Sequence, residues 1–171
     1  RKNEKGQIVG QVFIYILSIV IIAAILIYGY TAVSEFRERS QNVAKVKLQN
    51  DITNAISRLS SDYGSVQKKE LYLGEYLKMC FVDNFEQNVN PDTFPNTVHP
   101  LIKNSVKDDT GNNVFLLKET LEQSFNAGTI SIGDGGTSPT DVDVICLNAS
   151  SNSVTVRLEG KGDHVHLSTW Q

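Results

Sequence analysis

Residues 8–33 read IVGQVFIYILSIVIIAAILIYGYTAV, and 21 of these 26 positions are hydrophobic. No charged residue lies between Lys5 and Glu35. As a helix rising 1.5 Å per residue the run is about 39 Å long, which exceeds the roughly 30 Å of a bilayer's hydrocarbon core. A secretory signal has an apolar region of only about 7–15 residues, and no small-x-small cleavage site closes this run. A chain of 171 residues has too little mass to sheath a helix that is apolar all round. Tyr28 and Tyr30 mark one end, where amphipathic rings favour the membrane interface. Arg1, Lys2 and Lys5 mark the other, where the positive-inside rule places the cytoplasm. The run therefore reads as a membrane segment with its N-terminus in the cytoplasm and the bulk of the chain exported.

Averages hide this. The whole chain is 40% hydrophobic and 20% charged with a net charge of −3, figures that suit an ordinary acidic soluble domain. Outside the run only about a third of the other 145 positions are apolar, enough for one small core and not two. Arg1, Lys2, Glu4 and Lys5 sum to +2, so everything after them sums to −5. An acidic exported portion argues against a nucleic-acid partner.

Where the apolar run ends nothing stops a helix, and no Pro occurs between Gly6 and Pro91. The pattern instead becomes one-sided. Val43, Val46, Leu48, Ile52, Ala55, Ile56 and Leu59 recur at helical steps, with Glu38, Arg39, Lys45, Lys47, Asp51 and Arg58 between them. Ser60 to Gly64 is the expected stop, with Gly64 in the left-handed conformation. One helix of about 55 residues follows, apolar and then amphipathic, whose second half needs the rest of the chain to cover its stripe.

Beyond Ser65 the period shortens. Strands are expected at Glu70–Leu73, Leu77–Val82, Asn113–Leu117, Asp141–Leu147, Ser153–Leu158 and His164–Thr169. Asn148 to Asn152 reads as a hairpin turn joining two of them, and Lys118–Phe125 as a short helix. Asn84–Pro95 and the Gly-rich Gly133–Thr140 read as loops. The expected fold class is α+β: a long N-terminal helix packed on a small antiparallel β-sheet or sandwich-like head. The divisions are a basic segment 1–6, an apolar helix 7–33, its amphipathic continuation 34–63 and a β-rich head 64–171.

A basic leader, then Gly6-Gln7, then an apolar helix running into an amphipathic one and a β-rich head resembles the archaeal type IV pilins with a class III leader. The resemblance rests on motif for about the first 60 residues and on general layout beyond them. It implies processing by a prepilin peptidase-like enzyme at Lys5-Gly6-Gln7, membrane lipid as the surroundings before assembly, and copies of the chain itself as partners in an extracellular filament. The family often has Gln, Ser and Glu at mature positions one, three and five. This sequence has Gln7, Val9 and Gln11. Gln11 keeps a hydrogen-bonding group where the family has a carboxylate, at lower desolvation cost, and with Gln7 is the expected subunit-assembly pair. Physically, many such helices side by side under a non-closing rotation bury their apolar faces and form an open helical filament.

Few residues point to chemistry. Cys80 and Cys146 are the only cysteines, each inside an expected strand, and export favours a disulfide between them; separate buried thiols are the alternative. Asn148-Ala149-Ser150 is an N-glycosylation sequon in an apparent turn. His164 and His166 would share one strand face, as a metal pair or as plain solvated histidines, with His99 too far along the chain to count on. Asp134, Asp141 and Asp143 flank a Gly-rich loop but lack EF-hand spacing. No metal site, cofactor motif or catalytic constellation stands out, so no enzymatic activity is expected. The expected function is a structural pilus-like subunit that exposes its head for surface attachment. The alternative is a single-pass anchored ectodomain that binds or adheres without polymerising.

Overall fold

The computed structural model describes residues 4–85, 89–133 and 142–170, and leaves the side chains of residues 4–10 and of residue 38 undescribed. Helix α1 spans Glu4–Ser60, 57 residues, close to the expected length. The turn after it ends at Gly64, whose φ of +79° is the left-handed conformation anticipated there. The chain divides into two units, Arg1–Asn42 and Val43–Gln171.

The second unit adds eight strands and one short helix. They are β1 (Val66–Tyr72), β2 (Lys78–Val82), α2 (Pro100–Lys107), β3 (Val114–Leu117), β4 (Leu121–Phe125), β5 (Ile130–Ile132), β6 (Val144–Asn148), β7 (Ser153–Gly160) and β8 (Val165–Thr169). A 3₁₀ turn at Pro91–Thr93 precedes α2. The strands form two four-stranded sheets, one in the order β1-β7-β8-β5 and the other β4-β3-β2-β6. Every pair is antiparallel except β5 with β8, which is parallel. The α+β expectation holds, and the head, expected as a sheet or a sandwich-like pair, has two sheets.

Alternation along the strands builds the core. Val154, Val156 and Leu158 of β7 point inward with Val165 and Leu167 of β8, and meet Met79 and Phe81 of β2 and Val114 and Leu116 of β3. The α1 residues Leu48, Ile52, Ala55, Ile56 and Leu59 join this same core. The amphipathic stripe thus has the partner its periodicity demanded, although Val43 and Val46 remain 68% and 54% exposed. The other face of the second sheet carries Cys80, Val82, Phe115 and Leu117, covered by Phe94, Val98 and Ile102. Strands β2 and β3 are consequently buried on both faces.

Two expectations fail and one helix was not anticipated. Asn148–Asn152 does not close a hairpin: β6 pairs with β2 while β7 pairs with β1 and β8, so the chain there crosses between sheets. Ser151 and Asn152, with φ of 50° and 61°, supply the reversal. Lys118–Phe125 is not a helix but a tight turn into β4, recruited by pairing with β3. Helix α2 was missed, though Pro100 at its first turn and His99 as N-cap are start signals; the His99 Nδ1 accepts from the Leu101 N–H at 3.3 Å.

Candidate assembly helix and head surface

The first unit is a bare helix. Each described large apolar side chain from Val12 to Phe36 is at least 48% exposed, with Tyr28 and Tyr30 at 76% and 78%. Among the described residues, α1 is the one helix long and apolar enough to cross a membrane. Its few polar groups turn inward on their own backbone. The Ser18 hydroxyl donates to the Ile14 carbonyl at 2.8 Å, Thr31 to Tyr28 at 2.9 Å, and Ser34 to Thr31 at 2.9 Å. In an environment without water such bonds satisfy these three hydroxyls. The Gln11 carboxamide donates to the Tyr15 hydroxyl at 3.4 Å, one turn along. Charge resumes only at Glu35, which faces Arg39 at 3.8 Å on an exposed surface. Lys5, Gly6 and Gln7 fall in α1, and their side chains lie outside the described residues.

In the head, Cys80 and Cys146 are directly opposed across β2 and β6, 4.0 Å apart at Cα, and form the expected disulfide. That separation is of the close-spaced antiparallel kind. The bridge lies on the face covered by Phe94 and Ile102 and ties edge strand β6 to its neighbour. Asn148 ends β6 and is exposed, as is Ser150, so the sequon lies open on the surface.

The two histidines do not converge. His164 precedes β8, stacks on Phe85 with ring centroids 3.7 Å apart, and contacts the Asp163 carboxylate through Nδ1 at 2.6 Å. His166 sits on the outer face with Nδ1 at 3.0 Å from the Ser131 hydroxyl. His99 is committed to capping α2. Among the described residues no group of three or more His, Cys, Asp or Glu side chains could hold a metal ion. Asp134 and Asp141 lie outside the described residues; Asp143 accepts from the Thr93 hydroxyl at 3.1 Å.

Titration points to ion pairing. The Lys161 ammonium, 2.6 Å from Glu159, holds that carboxyl below its ordinary value against a smaller opposing effect of burial, helped by the charges of Lys161 and Arg157. Lys107 does the same for exposed Asp92 at 2.7 Å. Burial raises Tyr76 despite nearby Lys118. A cleft lined by Asp83, Asn84, Asn112, Asn113 and Asn126 is polar, but its amides are engaged. Asn113 bridges Ala127 N–H and Gly128 C=O, Asn84 bridges Ile130 and Gly128, and Asn126 bridges Gly128 and Gly111. These amides pin loops together.

No protein-family profile matches the sequence, and neither curated proteins nor solved structures show a match to it.

Proposed function

We propose that this chain is a structural subunit of a type IV pilus-like filament, held in the membrane by α1 before assembly and packed through α1 against copies of itself afterwards. One observation carries the reading. Within a single helix, the described large apolar residues from Val12 to Val33 are exposed, while Leu48, Ile52, Ala55, Ile56 and Leu59 belong to the core of a β-rich head. An apolar segment so exposed needs lipid or its own kind around it. Burying each large apolar side chain is worth about 1.5 kcal/mol or more, so roughly twenty of them favour leaving water, for lipid or for a bundle, by tens of kcal/mol; passing from lipid to a bundle draws on close packing instead. The self-satisfied hydroxyls of Ser18, Thr31 and Ser34 suit either environment. On this reading a prepilin peptidase-like enzyme releases Gln7 as the mature N-terminus, Gln7 and Gln11 sit at the subunit junction, and the head faces outward, with Asn148 open to a glycan. The role is structural and not catalytic.

A second reading, an anchored binding module that never polymerises, is favoured by one observation: Gln11 donates to Tyr15 within its own helix. Purified surface filaments examined by electron microscopy and N-terminal sequencing separate the two. A mature chain beginning at Gln7 inside filaments supports the subunit. A chain that keeps the residues before Gln7 and stays out of filaments under pilus-forming conditions overturns it in favour of the anchor.

A further inference from the structure

Among the described residues strand β1 pairs only with β7, so one edge of its sheet is open. Which backbone groups face that opening follows from the ladder. Leu73 N–H donates to Asn152 C=O at 2.7 Å, and Gly160 N–H donates to Ser65 C=O at 2.8 Å. With Leu71 opposite Val154 and Lys69 opposite Val156, odd-numbered residues occupy the bonded positions toward β7. Backbone direction alternates along a strand, so the N–H and C=O groups of Val66, Lys68, Glu70 and Tyr72 point to the free edge. All four residues are exposed. Beside this edge runs a polar groove lined by Asp51, Arg58 and Asp62 of α1 and its following turn, with Val66 and Lys69 of β1.

We infer that this edge is a docking surface for a second copy of the same strand, β1 against β1 in antiparallel register about a two-fold axis at Lys69. Charge complementarity selects both the occupant and the register. Residues 66–72 read VQKKELY, and reversing the strand about Lys69 sets Lys68 against Glu70 of the other copy, twice, and Val66 against Tyr72, twice. These even-numbered pairs are the ones whose backbone groups face outward, so about eight interstrand N–H···O=C bonds form along with them. Lysines ordinarily blunt an edge, and here Lys68 meets a carboxylate instead of another lysine. The two Lys69 side chains meet near the axis on the inner side, in a groove that also carries Asp51 and Asp62. A two-fold contact is closed and has no polarity, so it stands apart from the open helical packing of α1 and holds whether or not the chain polymerises.

Lys69→Cys tests it, because the native cysteines are already bridged and the new thiol is alone. The full-length chain, in membranes or detergent, is oxidised mildly, with Glu119→Cys, an exposed turn residue, as control. Expected is a covalent dimer from Lys69→Cys and little from the control. Adding Lys68→Glu or Glu70→Lys to Lys69→Cys should lower the dimer yield roughly tenfold, and adding both should restore it, since the pairs are re-formed with signs exchanged. A merely destabilised head would show no such rescue. Equal yields from Lys69→Cys and the control, failure of the double exchange to rescue, or capture of a different protein in place of a second copy each overturn the proposal.

Discussion

At Gly160, β7 runs close against the end of α1 and the turn after it. The Gly160 N–H donates to Ser65 and its carbonyl accepts from Gly64, both at 2.8 Å. A Cβ added there would fall on the carbonyl oxygens of Leu59 and Asp62, well inside van der Waals contact. Both are backbone atoms, and the Leu59 carbonyl already accepts from Asp62 N–H at 3.0 Å, so neither can rotate away. Gly160 is not among the positive-φ glycines, which makes the effect of Gly160→Ala steric. Overpacking costs about 1–3 kcal/mol, and weakening two backbone hydrogen bonds adds about 1 kcal/mol each. The stiffer unfolded chain returns about 0.4–1 kcal/mol. The net loss is about 3 kcal/mol, which for a unit of this size lowers the melting temperature by about 10 °C. Thermal unfolding of the full chain in detergent, followed by the fluorescence of the single tryptophan, Trp170 in the residue after β8, reads it directly. Gly29→Ala, which would meet nothing within 4 Å, should leave that transition in place. A Gly160→Ala chain melting within about 2 °C of the parent would refute the close-approach argument.

Removing the disulfide with Cys80→Ser and Cys146→Ser opens a connection of 66 residues, and the head should lose about 4 kcal/mol in urea unfolding by loop entropy. Glu159→Gln should cost about 1 kcal/mol near neutral pH, since its partners are partly solvated. Because the folded pKa is depressed, this stabilisation is present above the unfolded value and disappears as pH falls through the folded one. Parent and variant should therefore converge in strong acid when unfolded by urea across that range. Ile22→Lys places a charge on an exposed part of the apolar helix, Ile22 being 57% exposed. It should leave the unfolding of the head unchanged while shifting the protein out of the membrane fraction.

The helix was almost wholly legible because its evidence is local. An uncharged run, a 3.6-residue stripe and a glycine stop each sit within a few residues of what they determine. The strands could be found for the same reason, but not their neighbours. The alternation in Asp141–Leu147 and Ser153–Leu158 reveals which side chains point inward; it is silent on whether the two strands share a sheet. A turn with two left-handed residues serves a hairpin and a crossing between sheets equally well. Lys118–Phe125 misled because Glu119, Leu121, Glu122 and Gln123 are good helix formers, and pairing with β3 outweighed a preference of a few tenths of a kcal/mol per residue. The disulfide partners were legible from number, two cysteines each inside an expected strand. Strand β5, three residues long and paired in parallel, left too short a pattern to read.

The order β1-β7-β8-β5 also governs when the head can form. Strand β1 leaves the ribosome early, yet its one partner among the described residues begins at Ser153, so its ladder waits for nearly the last residues given. Until then Leu71 and the Leu48–Leu59 face of α1 have no cover from β7. Closing long loops before any reward makes such a topology slow and aggregation-prone. Those residues therefore stay without their cover until the last strands, β7 and β8, are made.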